Sequence, residues 1–138
     1  MAFLVRSSLL SFFFAELCFL EPLSTDGCHV LFLPADGMRI HLERLSPPES
    51  AGPVGDFVTN DDGRLEGGPA LKGGTEIVPG VYQWTFYTGE YFASKGTYTS
   101  GQPFLDTIPL RFGIDNPDDH YHVPLLVSPW SFSTYRGS

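Results

Sequence analysis

Residues 38–43 read Met-Arg-Ile-His-Leu-Glu, so that apolar and polar side chains alternate without interruption. Successive side chains of a β-strand point to opposite faces, and the alternation therefore predicts a strand with one buried and one solvated face. The pair Asp36-Gly37, which is typical of tight turns, comes directly before it. This stretch favours a β-rich fold.

Similar patterns recur along the chain. Tyr82, Trp84 and Phe86 share one face of a strand predicted at 81–88. A longer strand is predicted at 104–114, where Pro109 favours an edge position or a bulge. Its apolar face would carry Phe104, Ile108, Leu110, Phe112 and Ile114.

Shorter strand patterns and turns fill most of the remaining chain. The other predicted strands lie at 28–33, 56–59, 120–127 and 131–136, one short helix lies within 89–96, and loops lie at 46–56 and 67–74. Seven or eight short strands with at most one helix predict an all-β sandwich of two sheets.

Composition supports a single domain and excludes several function classes. The chain has 138 residues, of which 42% are apolar, with 15 Gly and 12 Pro scattered between the strand patterns. A formal net charge of -8 without a Lys/Arg-rich run argues against nucleic acid and anionic membrane as partners. The sequence contains no glycine-rich phosphate loop, no G-x-S-x-G motif and no C-x-x-C pair. Cys18 and Cys28 are interpreted as two separate buried thiols, with a single disulfide between them as the alternative.

The N-terminus differs in composition from the rest. Residues 1–26 are interpreted as an apolar extension, and residues 27–138 as the folded domain. Arg6 followed by an apolar stretch resembles a secretory signal, but Glu16 interrupts it and no small-residue cleavage site is evident. The alternative is an extension that arises from an incorrectly assigned first exon.

Two histidines near the C-terminus are candidates for chemistry. On a strand, His120 and His122 would share one face. Taken alone, the pattern fits two exposed or hydrogen-bonded histidines. A zinc site with His29 is an alternative, with Asp118 or Asp119 within reach, but no convincing fourth ligand is present, and metal-free chemistry without a cofactor is preferred.

The C-terminal sequence resembles that of the 5-hydroxyisourate hydrolases. The carrying segments are His-Tyr-His-Val-Pro-Leu-Leu-Val-Ser-Pro at 120–129 and Ser-Thr-Tyr-Arg-Gly-Ser at 133–138. Upstream, Cys-His-Val-Leu at 28–31, Asn-Asp-Asp-Gly-Arg at 60–64 and Gly-Glu-Tyr-Phe at 89–92 are similar to family segments in the same order. The resemblance extends from about residue 27 to the end of the sequence.

The resemblance implies a transthyretin-like (prealbumin-like) β-sandwich of two four-stranded sheets with one short helix. It also implies a homotetramer with active sites at the dimer–dimer interface. The implied activity is hydrolysis of 5-hydroxyisourate to 2-oxo-4-hydroxy-4-carboxy-5-ureidoimidazoline, in urate catabolism toward allantoin.

The resemblance further implies which residues act. The family's catalytic positions fall on His29, Arg64, His122 and Ser138, and substrate-binding roles fall on Tyr135 and His120. A neutral imidazole can take a proton from water, and either His29 or His122 fits that role. Arg64 would disfavour imidazolium nearby and orient substrate carbonyls.

The first strand departs from the family pattern. The family usually follows His-Val-Leu with Asp-Thr and a glycine-containing turn, whereas here Leu31 runs into Phe32, Leu33, Pro34 and Ala35. A one-residue change of register would turn His29 to the other face. The shortening therefore leaves open whether His29 is presented as in the family.

Two other function classes stay open. A transthyretin-type carrier of small aromatic ligands would use the same fold but would not need the polar set of His29, Arg64 and His122. An inactive interaction module is the third class. The location is expected to be cytosolic; the chain lacks a Ser-Lys-Leu ending, and relatives also occur in peroxisomes, while a secretory signal would direct the chain outward.

Arg64→Lys tests the guanidinium role. We expect most of the hydrolysis rate on 5-hydroxyisourate to be lost, because a point charge cannot replace a planar fork of donors. The decay of substrate absorbance measures this. Equal rates for Lys and Arg would show that only the charge matters.

Overall fold

The computed structural model describes Cys18–Phe19 and residues 31–72, 76–97 and 101–137. Within these residues the chain forms eight strands, one α-helix and a 3₁₀ turn at Pro48–Ser50. The elements are β1 (Cys18–Phe19), β2 (Leu31–Phe32), β3 (Arg39–Arg44), β4 (Gly52–Val58), β5 (Gly80–Phe86), α1 (Thr88–Ser94), β6 (Ile108–Ile114), β7 (Leu125–Val127) and β8 (Phe132–Thr134).

One antiparallel sheet has four strands in the order β4-β3-β5-β6. Leu42 of β3 lies opposite Trp84 of β5, and Ile40 lies opposite Phe86. These side chains are at most 2% exposed, and so the apolar face predicted from the alternation is confirmed. Burial of large apolar and aromatic side chains on this face stabilises the sandwich.

The second layer consists of two strand pairs, β1-β2 and β7-β8, and β1 approaches β7. Leu125 and Val127 of β7 are buried in the same core as the four-stranded sheet. The predicted all-β, two-layer architecture with one short helix is confirmed. The strand predicted at 28–33 is described only as β2, and the division of the chain at residue 27 stays a prediction.

Strand β4 begins earlier than predicted, inside the stretch interpreted as a loop at 46–56. Leu42 pairs with Gly55, but Glu43 pairs with Pro53, so Val54 is an extra residue that forms a bulge. Proline is tolerated there because β4 is an edge strand. Its Gly- and Pro-rich composition conceals the strand in the sequence.

The buried face predicted for 104–114 is wrong at its first residue. Phe104 is 70% exposed, and its ring centroid lies 6.5 Å from that of Trp130. Strand β6 starts only at Ile108, whose partner Phe86 is the last residue of β5, and Phe104 therefore has no strand to pair with in this sheet. The edge position predicted from Pro109 is confirmed.

Helix α1 lies where the sequence predicted a helix. Tyr91 and Phe92 bury one face, and burial raises the pKa of Tyr91. Glu90 on the exposed face accepts hydrogen bonds from Arg39 at 2.6 and 3.2 Å, which lower the pKa of Glu90. Across the described ranges no helix has the length and apolarity needed to cross a membrane.

Thr59 provides a test of the loop packing. Its buried hydroxyl accepts from the Met38 N–H at 2.9 Å and donates to the Ala35 carbonyl. Thr59→Val would leave both backbone groups without this partner, and we expect the free energy of unfolding to fall by about 1–3 kcal/mol. Urea unfolding at fixed protein concentration measures this loss, with the exposed Thr107→Val as control. Equal midpoints for the two variants would contradict it.

Candidate active site

The site is built on a C-terminal β-hairpin. Leu125 of β7 lies opposite Thr134 of β8, and the same register continues to a bridge between His122 and Gly137. The Gly137 N–H donates to the His122 carbonyl at 2.9 Å. Opposed residues of an antiparallel pair share a face, so His122, Gly137 and the diagonal neighbour Tyr135 lie on the same face.

Side-chain hydrogen bonds hold this hairpin at its turn and along its length. The Ser128 hydroxyl accepts from the backbone N–H groups of Trp130 and Ser131 at 3.2 and 3.1 Å. Further along, the Thr134 hydroxyl donates to the Pro124 carbonyl at 2.7 Å. The strand that carries Tyr135 is thereby fixed against the segment that carries His122.

The imidazole of His122 is enclosed by the C-terminal strand. Its ring centroid lies 6.3 Å from that of Tyr135, with an interplanar angle of 75°. Its Nε2 atom is shielded from solvent. On its other side the ring lies over Gly137, where a Cβ atom would come within 2.7 Å of the His122 Cγ atom. Tyr135 itself is 49% exposed, so its own ring lies at the surface.

The turn before His122 is held separately. The buried Tyr121 places its hydroxyl to accept from the N–H groups of Asp115 and Asn116, both at 3.1 Å. The Arg136 guanidinium lies 5.0 Å from the Tyr121 ring and 3.8 Å from the Asp119 carboxylate. Tyr121 thus packs on the face opposite His122. This agrees with its position between the two histidines, because successive side chains of an extended chain point to opposite faces.

Arg64 is presented by a tight turn. The Asn60 side-chain oxygen accepts from the N–H groups of Asp62 and Arg64 at 3.0 and 3.1 Å. Gly63 has a φ of 71°, a conformation that favours glycine. The exposed Arg64 is followed by the buried Leu65, which anchors the turn through a bridge to Thr59. The predicted turn is confirmed.

The structure brings together part of the predicted site. His122 and Tyr135 are neighbours, and Gly137 joins them. His120 is exposed and lies before the bridge. The strand predicted at 120–127 is shorter than expected: β7 begins only at Leu125, because Pro124 has no N–H to continue the ladder. His29 and Ser138 lie outside the described residues, and the catalytic and binding roles stay predictions.

In the described part of the chain, no group of three or more His, Cys, Asp or Glu side chains could hold a metal ion.

The sequence did not single out one further pair, His41 and Asp56, whose Nδ1 and Oδ1 atoms lie 2.8 Å apart. Their opposed positions on β3 and β4 account for the contact.

The fold and hairpin together define a transthyretin-like β-sandwich. The sequence model of the HIUase/Transthyretin family matches residues 27–137, and the chain belongs to this family. The 5-hydroxyisourate hydrolase of Pseudomonas aeruginosa is 44% identical over 115 residues, which cover 83% of this chain and 85% of that protein.

Two solved structures extend the comparison. The structure of an (S)-allantoin synthase is 71% identical with a TM-score of 0.75, and the match covers 94% of this chain. This chain spans only 45% of that longer protein. Sea bream transthyretin in complex with thyroxine has a TM-score of 0.65 at 20% identity, covering 89% and 93% of the two chains, and shows the shared fold.

Proposed function

We propose that this protein hydrolyses 5-hydroxyisourate to 2-oxo-4-hydroxy-4-carboxy-5-ureidoimidazoline, a step of urate catabolism toward allantoin. The observation that carries the proposal is the bridge between His122 and Gly137, which folds residues 135–137 against the His-x-His segment. The relatives named 5-hydroxyisourate hydrolase support it. So does the likeness to (S)-allantoin synthase.

The reaction requires water to attack a lactam carbonyl. In the proposed mechanism, neutral His122 takes one proton from the water as the new C–O bond forms. The carbonyl oxygen becomes an oxyanion, which then collapses and breaks the ring C–N bond. The proton returns to the departing nitrogen, so that an opened ring and a carboxylic acid result, and the acid then releases the second proton of the water to solvent to become a carboxylate.

The enclosed position of His122 suits this role. The contact with Tyr135 and the backbone of Gly137 fix the ring, and a fixed base loses less entropy on reaching the reactive geometry. His29 is retained as the second candidate for the proton transfer.

The other polar groups are proposed to bind and stabilise. The Arg64 guanidinium supplies a planar fork of donors for substrate carbonyls and the developing oxyanion. The Tyr135 hydroxyl and Ser138 are proposed to hydrogen-bond the substrate or the water, and His120 to contact the substrate near the entrance. No metal or cofactor is invoked in this scheme.

The assembly is proposed to be a homotetramer. Strand β6 is an edge of the four-stranded sheet. All three residues of β8 are exposed in the single chain. Edge strands carry unpaired backbone donors and acceptors, which pairing with a second copy would satisfy. Size-exclusion chromatography with light scattering gives the mass directly.

The activity is tested by producing 5-hydroxyisourate from urate with urate oxidase and following its ultraviolet absorbance. We expect the protein to accelerate the decay, and His122→Ala to reduce this acceleration by about 100-fold or more, since general-base catalysis contributes about 10²–10⁴-fold. A chelator should leave the rate unchanged. A folded protein without acceleration, or His122→Ala at the wild-type rate, would contradict the proposal; bound thyroxine with no turnover would favour the carrier.

Tyr135→Phe separates the hydroxyl from the ring. The Phe ring keeps the edge contact with His122, so we expect kcat to change by less than about twofold while KM rises several-fold through the lost hydrogen bond. Tyr135→Ala, which also removes the ring, should lower kcat. An unchanged KM for Tyr135→Phe would rule out a binding role for the hydroxyl.

A further inference from the structure

We propose that Gly137 is a positioning residue for His122: the imidazole occupies the space that any side chain at position 137 would need. The catalytic consequence rests on the proposed function, whereas the positioning itself follows from the geometry of the hairpin. The resemblance to the hydrolases places Gly137 in a terminal motif, but it assigns no role to this residue.

The space above Gly137 is filled by the Cβ, Cγ and Nδ1 atoms of His122. A Cβ atom at position 137 would lie 2.7 Å from the His122 Cγ atom and 3.0 Å from its Cβ atom, with Nδ1 closer still. Separations under 3.0 Å require something to shift. The atoms involved are not the far end of a long flexible chain, so a small adjustment cannot relieve the overlap.

The two backbones have little freedom to separate. Gly137 and His122 are joined by the hydrogen bond of 2.9 Å, and the same register holds from Leu125 opposite Thr134 onward. The Thr134–Pro124 hydrogen bond adds a second constraint close to the pair. A side chain at 137 therefore either rotates the imidazole away or breaks the last bridge of the hairpin.

Rotation of the imidazole is opposed by its neighbours. The Tyr135 ring lies against one edge, and the Nε2 atom is already shielded from solvent. A rotated ring would lose the contact with Tyr135 and redirect both nitrogens. Since a misplacement of about 1 Å at a reacting group can cost about 100-fold in rate, the position of this ring is a catalytic requirement.

A glycine on strand β6 shows that the constraint is local. Gly113 on β6 has no atom within 4 Å of an added Cβ. Like Gly137, it is not among the residues with positive φ. Gly113→Ala is therefore a matched control for Gly137→Ala, because both replace a glycine that is paired with a neighbouring chain segment and only one meets an obstruction.

Kinetics on 5-hydroxyisourate gives the first test. We expect Gly137→Ala to lower kcat by about 100-fold with KM changed less than about threefold, and Gly113→Ala to stay within about twofold of wild type. In a His122→Ala background, adding Gly137→Ala should cost nothing further, since the ring it displaces is absent. Wild-type kcat for Gly137→Ala, or a further loss in the double variant, would overturn the proposal.

Nuclear magnetic resonance gives a test that does not require turnover. The imidazole signals of His122, assigned by their loss in His122→Ala, should shift in Gly137→Ala and stay in place in Gly113→Ala. Unmoved signals would overturn the positioning role. If the wild-type protein shows no turnover, the proposed function fails, and these signals alone then decide the role of Gly137.

Stability measurements cover the case in which Gly137→Ala unfolds. The closest overlaps are with ring atoms, which His122→Ala removes, whereas the contact of 3.0 Å with the His122 Cβ atom is kept. Gly137→Ala should therefore lower the urea midpoint clearly more in the wild-type background than in the His122→Ala background. Equal losses in both backgrounds would show that the glycine serves the strand and not the ring.

Discussion

The candidate site depends on the register of one antiparallel pairing. His122 precedes β7 and Gly137 follows β8, so the chain reverses direction between them. They meet only because Leu125 lies opposite Thr134 and every later pair keeps the same offset. Register in such a pair is set by which face is buried and by the turn that joins the strands. The arrangement of the candidate site is therefore a consequence of backbone pairing.

The core makes that register specific. Leu125 and Val127 point into the sandwich and are at most 2% exposed. Alternation then places Leu126 and, further back, His122 on the other face. A slip of one residue would expose the buried pair and bury the polar side chains, which the large aromatic core of Tyr82, Trp84 and Phe86 disfavours. The four-stranded sheet thus stabilises the candidate site, although none of the predicted site residues described by the structure lies on its strands.

Much of the fold could be predicted from the sequence, because strict alternation at 38–43 and 81–88 leaves little choice of face. The predicted strand boundaries were wrong where the pairing of strands, and not the alternation of side chains, decides which residues form a strand. Gly52 to Gly55 form a strand only because β3 lies beside them. Phe104 lacks a strand partner despite its apolar character.

The candidate site was predicted only in part, for a similar reason. His122 and Tyr135 stand out through their chemistry and through the family motif. Gly137 carries no functional group, and its importance arises from a ring on the opposite strand. The local sequence around a glycine does not indicate such a neighbour, whereas the pairing register of the two arms of the hairpin identifies it.

The pairing also restricts where the chain can change in length. Segments 122–127 and 132–137 are matched residue for residue, so one insertion or deletion within either would bring a different residue opposite His122. Loops elsewhere, such as the one between β3 and β4, connect strands whose pairing already tolerates a bulge. Length variation among related chains should therefore collect in those loops and be absent from the two arms of the hairpin, although most of the residues in these arms perform no chemistry.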